Sequence, residues 1–169
     1  MNEKKAKGIV DIVFLMDMTG SMQHCIDALK ENIGTFVDTM INNPQSPIKD
    51  WRAKVFGYRD VKVDDEPFVD NPFVQNDVAA LKSQLAKARA EGGGDEPESL
   101  LDALYLVGNM DETPKGSQSL DPHKWRYRSD AARVVVIFSD ASFHPTMSIP
   151  DAKGGEIDDI ITLMHSERI

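Results

Sequence analysis

The protein has 169 residues, of which 41% are hydrophobic and 28% are charged, and its formal net charge is −9. These values are typical of one globular domain with a substantial core. The acidic balance argues against nucleic acid as the main partner, because the short basic segment at 124–128 is the only cluster of its sign and we interpret it as a solvated loop.

The sequence also argues against a membrane or secreted protein. No apolar run approaches the roughly 20 residues that span a bilayer, and the polar lead-in at 1–7 has no hydrophobic signal core. Cys25 is the single cysteine, so an internal disulfide cannot form. We therefore expect a cytoplasmic protein without a membrane contact.

Regular structure begins with an apolar run, Ile9 to Met16, which predicts a strand buried on both faces of a parallel sheet. Apolar residues then recur every three or four positions from Ser21 to Ile41 and predict an amphipathic helix. Asp17, Thr19 and Ser21 stand at alternate positions between the two elements. Because the strand would end at the carboxyl edge of the sheet, these side chains mark a candidate ligand site.

Alternation from Trp51 to Tyr58 predicts a second strand with one face less fully buried. Asp60 follows it, either near the site or in an exposed turn. Residues 67–69 are typical of a short antiparallel edge strand, where proline is tolerated. A helix is expected over 77–90, with Asn76 as its N-cap.

The segment from Glu91 to Ser99 is predicted to be a second site loop, since its three consecutive glycines allow close backbone approach. Asp95 follows these glycines and is either a helix cap or a metal contact. Pro97 suits the first turn of the next helix, which continues through Val107.

Ala131 to Phe138 is the second strand dominated by apolar residues, and the apolar run at 134–138 favours a central position in the sheet. Asp140 follows at its carboxyl end, beside Asp17 if the two strands are neighbours. His144 lies further along the same loop, either at the rim of the site or without a role in it. A final helix is expected over 155–168.

Carboxylates and hydroxyls are hard oxygen ligands, which suit Mg²⁺, Mn²⁺ or Ca²⁺ and offer little to zinc or copper. Asp17, Thr19, Ser21 and Asp140 therefore form a candidate cation site. The alternative is that Thr19 and Ser21 only cap the helix that follows them.

The motifs DMTGS at 17–21, GGGD at 92–95 and VVVIFSD at 134–140 resemble, in this order, those of the von Willebrand factor A domain. Two departures from the family pattern are Asp95, where threonine is typical, and Ala141, where glycine often follows the aspartate. Together with GYRD at 57–60 and DASFHP at 140–145, the motifs are similar to A domains associated with alpha-kinases and to bacterial intracellular ones. The resemblance extends over about residues 9–165.

The resemblance implies a three-layer α/β fold, in which a mostly parallel, Rossmann-like sheet lies between helices. It implies a single domain over 1–169 that lacks the family's last strands. An open sheet edge would then remain, through which a homodimer could form.

The resemblance also implies a metal-ion-dependent adhesion site formed by five residues, Asp17, Thr19, Ser21, Asp95 and Asp140. The expected cation is Mg²⁺, with Mn²⁺ or Ca²⁺ as alternatives, and a Glu or Asp of a protein partner would complete its coordination. A metal-independent scaffold with a degenerate site is the first alternative. A Mg²⁺-dependent phosphoryl hydrolase is the second, but such enzymes need a second aspartate where this chain has Thr19. We therefore expect no enzymatic activity and no catalytic residue.

Overall fold

The computed structural model describes residues 8–41, 43–92 and 97–169, without the side chain of Ile41. Its centre is a five-stranded mixed sheet, formed by β1 (Ile9–Asp17), β2 (Asp50–Tyr58), β3 (Phe68–Asp70), β4 (Val74–Gln75) and β5 (Ala132–Phe138). The strand order is β3-β2-β1-β5, and β4 also pairs with β2. β1 runs parallel to both β2 and β5, whereas β3 and β4 are antiparallel to β2. The predicted antiparallel edge strand is therefore confirmed as β3.

Four helices cover the two faces of this sheet: α1 (Gln23–Ile41), α2 (Val78–Lys87), α3 (Leu100–Gly108) and α4 (Ile157–Glu167). A 3₁₀ turn at Gly20–Met22 precedes α1, and another lies at Pro150–Ala152. α1 packs with α2 on one face, and α3 packs with α4 on the other. The predicted three-layer α/β fold is confirmed. In the described part of the chain, no helix combines the length and apolarity needed to cross a membrane.

The side chains of β1 alternate between two hydrophobic cores, one on each face of the sheet. Phe14 and Met16 belong to the core under α1 and α2, whereas Val13 and Leu15 belong to the core under α3 and α4. Successive side chains of a strand point to opposite faces, so the mainly apolar run of β1, interrupted only by the buried Asp11, is buried on both sides.

The expectation that one face of β2 is less fully buried is wrong. Arg52 is 2% exposed and Lys54 is 0% exposed. Arg52 donates from Nε to Asp11 Oδ1 at 3.0 Å and from Nη2 to Asp11 Oδ2 at 2.6 Å. Lys54 Nζ lies 2.5 Å from Asp70 Oδ1, and burial lowers the pKa of Lys54 although this carboxylate opposes the shift. Arg52 is accommodated in the interior by the buried carboxylate of Asp11, whereas Lys54 reaches out to Asp70, whose side chain is 47% exposed.

The predicted central position of β5 is also wrong within the described residues. β5 pairs with β1 on one side, and no described strand pairs with its other side. Val134 is consequently 39% exposed and Ile137 is 46% exposed. An apolar composition therefore identified a strand that neighbours β1, but not its place in the strand order.

Several helix boundaries differ from the predictions. The N-cap of α2 is Asp77, whose Oδ1 accepts from the Ala80 N–H at 2.9 Å. Asn76 instead has a φ of 48° and accepts from the Trp51 N–H at 3.0 Å, which ties the loop to β2. α3 has Ser99 at its N-cap position, so Pro97 precedes its first turn, and the last helix spans only Ile157–Glu167.

Candidate metal centre

The candidate metal centre lies at the carboxyl edge of the sheet, where β1, β2 and β5 end together. In the strand register, Asp17 is opposite Tyr58 on one side, and Met16 is opposite Phe138 on the other. Ser139 and Asp140, which follow β5, therefore come next to Asp17. Parallel pairing with β1 at the centre explains why residues from distant parts of the sequence meet here.

Asp17 is fully buried and organises the first turn of the site. Its Oδ1 accepts from the Thr19 N–H at 2.9 Å and from Thr19 Oγ1 at 2.6 Å, which closes a tight turn after β1. Its Oδ2 accepts from Ser139 Oγ at 3.2 Å. These donors are neutral, and no described Lys, Arg or His forms an ion pair with Asp17. The buried negative charge is thus held by hydrogen bonds without a compensating positive charge.

A second carboxylate approaches from the loop after β5. Ser21 Oγ donates to Asp140 Oδ1 at 3.1 Å, and this contact lies at the exposed side of the site. The structure therefore brings together four of the five predicted ligands. Thr19 Oγ1 and Ser21 Oγ each donate to a carboxylate, and Thr19 Oγ1 accepts no capping hydrogen bond from an N–H of the following 3₁₀ turn.

The fifth predicted ligand, Asp95, lies outside the described residues. The beginning of its loop is placed against the first turn: Gly20 N–H donates to Gly92 O at 3.3 Å, and Glu91 N–H donates to Met18 O at 3.0 Å. Gly92 has a φ of +68°, a conformation that glycine adopts readily. The predicted approach of the glycine loop to the site is supported at Gly92.

Tyr58 and Glu98 are part of the surroundings of the site that sequence reasoning missed. Burial raises the pKa of the Tyr58 hydroxyl; nearby Ser139 opposes this shift, and the negative charges of Asp17, Glu98 and Asp140 add to it. Glu98 is buried, and its backbone forms a bridge with Phe143 in the loop after β5. The sequence alone gave no signal for these two residues. The position of Tyr58 opposite Asp17 becomes visible only when the strand register is known.

Asp60 and His144 are brought together with each other rather than with the predicted ligands. His144 Nε2 lies 3.1 Å from Asp60 Oδ1, and both side chains are buried. Asp60 Oδ1 also accepts from Ser99 Oγ at 3.2 Å. Of the two alternatives that the sequence left open for Asp60, the exposed turn is therefore excluded.

The described residues contain no group of three or more His, Cys, Asp or Glu side chains arranged to hold a metal ion. They do offer two carboxylates, Asp17 and Asp140, with the hydroxyls of Thr19 and Ser21 bonded to them. Such a set of hard oxygens fits Mg²⁺, Mn²⁺ or Ca²⁺ in its chemistry. A cation would need water, an undescribed residue or a partner for its remaining positions.

Comparison with known proteins agrees with the fold. The chain is 27% identical over 166 residues to a protein named alpha-protein kinase vwkA from Dictyostelium discoideum. The match covers 94% of this chain but only 24% of the relative, so the chain spans about a quarter of that protein's length. The relative's name agrees with the expected similarity to A domains associated with alpha-kinases. The family model described as von Willebrand factor A domain matches residues 11–119, and this chain belongs to that family.

Proposed function

We propose that the chain is a metal-dependent protein-binding module, in which a divalent cation bridges the domain and an acidic residue of a partner. Domains of this family are in general protein-interaction modules. Asp17, Thr19, Ser21 and Asp140 would hold the cation, with Asp95 as a further candidate. Mg²⁺ is the proposed ion, and Mn²⁺ or Ca²⁺ are the alternatives that hard oxygen ligands allow.

The observation that carries this proposal is the meeting of Asp17 and Asp140 at one edge of the sheet with no described positive charge paired to either. Glu98 is a further buried carboxyl group near these two, and its negative charge would add to the rise in the pKa of Tyr58. Close carboxylates repel each other when ionised, and a bound cation relieves that repulsion. The local acidity is therefore a reason for a cation to bind here.

The hydroxyls explain why a partner's carboxylate would be attracted. Thr19 and Ser21 are neutral, so two carboxylates alone would balance a divalent cation without a surplus of negative charge. When bound, the cation supplies Lewis acidity toward an additional oxygen ligand. Ionised Asp95 in direct contact would add one more negative charge and weaken the attraction for a partner.

Isothermal titration calorimetry with protein freed of metal by EDTA tests the cation site. We expect saturable binding of Mg²⁺ or Mn²⁺ to the wild type and its loss in Asp17→Asn, which keeps the shape of the side chain but removes its charge. Asp27→Asn is the matched control, because Asp27 is exposed on α1. Absence of binding by Mg²⁺, Mn²⁺ and Ca²⁺ to the wild type would refute the proposal.

The acidic partner is tested with a displayed peptide library, selected against the domain in Mg²⁺ and eluted with EDTA. Selected peptides should share an Asp or Glu, and its replacement by Asn or Gln should abolish binding. Peptides that bind equally in EDTA would contradict a bridging cation.

We propose no enzymatic role, in keeping with the generally non-enzymatic character of the family. In a phosphoryl-transfer site built on Asp17, the position of the second acidic group is taken by Thr19, whose hydroxyl donates to Asp17. The word kinase in the relative's name belongs to a protein four times as long. Phosphatase turnover with Mg²⁺ that disappears in Asp17→Asn would overturn this view.

A second candidate function, self-association through β5, is favoured by the exposed Val134 and Ile137 on a strand whose outer edge has no described partner. Unpaired strand edges are templates for pairing with another chain. Sedimentation of the wild type and of Val134→Lys tests it. A wild-type monomer at all concentrations would exclude this candidate.

A further inference from the structure

A cluster of buried polar side chains lies beside the metal centre and is not used by the function proposed above. Asp60 is 3% exposed and His144 is 8% exposed, and 84 residues separate them in the chain. Asp60 Oδ1 accepts from the Lys62 N–H at 2.9 Å, in addition to the contacts with Ser99 and His144. Lys62 Nζ lies 3.2 Å from the other ring nitrogen, His144 Nδ1.

These contacts select one state of the imidazole. An ammonium group can only donate, so Nδ1 must accept from Lys62, and a carboxylate only accepts, so the Nε2–H must point to Asp60. His144 is therefore neutral with its proton on Nε2. Protonation at Nδ1 would place an N–H against the Lys62 ammonium and force that side chain away.

Further charged groups among the described residues lie in the loops that pack here. The loop after β2 contributes Asp60, Lys62 and Asp64, whose Oδ2 accepts from the Asp60 N–H at 3.2 Å. The segment before α3 contributes Glu98, and Asp140 belongs to the same loop as His144.

The His144 contacts hold the far end of the loop that contains Asp140. At the near end, Ser139 Oγ donates to Asp17 Oδ2. At the far end, the His144 N–H donates to Glu98 O at 2.9 Å, and the Glu98 N–H donates to Ser142 O at 2.9 Å. The His144 ring adds a hydrogen bond to a buried carboxylate on a different loop. Asp140 thus lies between two anchors, Ser139 on the buried Asp17 and His144 on the buried Asp60.

We propose that the Asp60–His144 hydrogen bond positions Asp140 for cation binding, so that His144 is a positioning residue of the metal centre. This inference rests on the proposed function, since it assumes that Asp140 meets a cation. Groups that orient metal ligands without touching the metal are worth about 10–100-fold in metal affinity. Most of this effect should come from the Nε2–H···Asp60 hydrogen bond, because Lys62 is exposed and contacts only His144 Nδ1.

The test compares Mg²⁺ affinity among variants of His144 by calorimetry. Gln extends an N–H donor toward the position of Nε2, whereas Asn is too short to reach it and Leu has no donor. We expect His144→Gln to bind Mg²⁺ nearly as the wild type does, and His144→Asn and His144→Leu to bind it about 10–100-fold more weakly. His123→Leu is the matched control, because His123 is an exposed histidine.

Melting curves in EDTA identify any variant that fails to fold. If His144→Leu fails to fold, the comparison of His144→Gln with His144→Asn still tests the positioning role. Long-range ¹H–¹⁵N NMR of the imidazoles supplies a readout without metal: we expect the Nε2–H tautomer for His144. Equal affinities in all His144 variants, or a Gln variant as weak as Asn, would overturn the positioning role while leaving the metal site intact. Absence of Mg²⁺ binding in the wild type would instead overturn the proposed function and this inference with it.

Discussion

Ser21 and Asp140 are separated by 119 residues in the chain, yet Ser21 Oγ donates to Asp140 Oδ1 at 3.1 Å. This contact closes the candidate metal centre, because it joins the turn after β1 to the loop after β5. A cation that binds here would bring the same two segments together. Metal affinity and the stability of the fold should therefore be coupled.

Asp140→Asn should remove stabilisation by metal without damaging the metal-free fold. The amide oxygen still accepts from Ser21, while one of the mutually repelling charges is lost. At a hundredfold excess over its dissociation constant, a cation should stabilise the wild type by about 2.7 kcal/mol. Urea unfolding in EDTA and in Mg²⁺ measures both effects, with Asp27→Asn as the control. An Asp140→Asn variant that gains as much from Mg²⁺ as the wild type would exclude Asp140 as a ligand.

Tyr58→Phe should change stability only in alkali. Because burial raises the folded-state pKa of Tyr58, its contribution is fully present below the unfolded value of 10.0 and is lost as the pH rises toward the folded value. The wild type should therefore lose more stability than Tyr58→Phe above about pH 10. Urea unfolding between pH 7 and 11 measures the difference, and Tyr127→Phe controls for a less buried tyrosine. If the unfolding free energies of the wild type and Tyr58→Phe fall in parallel with rising pH, Tyr58 ionises in the folded protein as readily as in the unfolded one.

Glu112→Gln should destabilise the protein in a pH-dependent way. Burial tends to raise the pKa of Glu112, but hydrogen bonds and charges from Arg133 and Arg128 outweigh it and lower the pKa below the ordinary 4.5. The contribution of this carboxylate is therefore complete above pH 4.5 and is lost as the pH falls through the folded value.

We expect a cost of about 1.5–3 kcal/mol for Glu112→Gln at pH 7, the usual range for hydrogen bonds to charged groups. The cost should shrink toward pH 3, and Glu31→Gln, an exposed substitution on α1, should show no comparable cost. A cost that stays the same at both pH values would assign the effect to packing of the side chain. Thermal unfolding across this range decides between the two.

Asp11→Asn should be among the most damaging single substitutions. Asp11 is fully buried and accepts from the Arg52 side chain and from the Arg126 N–H at 2.8 Å. Removal of one partner from a buried ion pair leaves the other charge unbalanced and costs about 3–5 kcal/mol. Denaturant unfolding measures it. A loss near that of the exposed control Asp27→Asn would mean that Arg52 finds another acceptor.

The sequence itself contained the fold class and most of the candidate site. Two mainly apolar runs, Ile9–Met16 and Ala131–Phe138, predicted strands buried on both faces. Both runs form strands that pair in parallel, but only β1 is buried on both faces. The side chains after those strands, Asp17 and Asp140, could be identified because their chemistry is local. Their role as metal ligands stays a prediction.

The buried charges could not be predicted, because a strand pattern shows only which residues alternate. Arg52 and Lys54 looked like a partly solvated face, but their carboxylate partners lie 41 residues earlier, at Asp11, and on the neighbouring strand, at Asp70. Whether a charge is buried depends on such partners, which only the assembled structure supplies.

Local sequence therefore determined which segments form strands and helices, since periodicity and turn residues act over a few positions. Tertiary structure alone decided that β5 has no strand partner on its outer side among the described residues, that Tyr58 lies near the site and that Asp60 holds His144. Each of these depends on strand order and register, which arise from contacts between segments far apart in the chain.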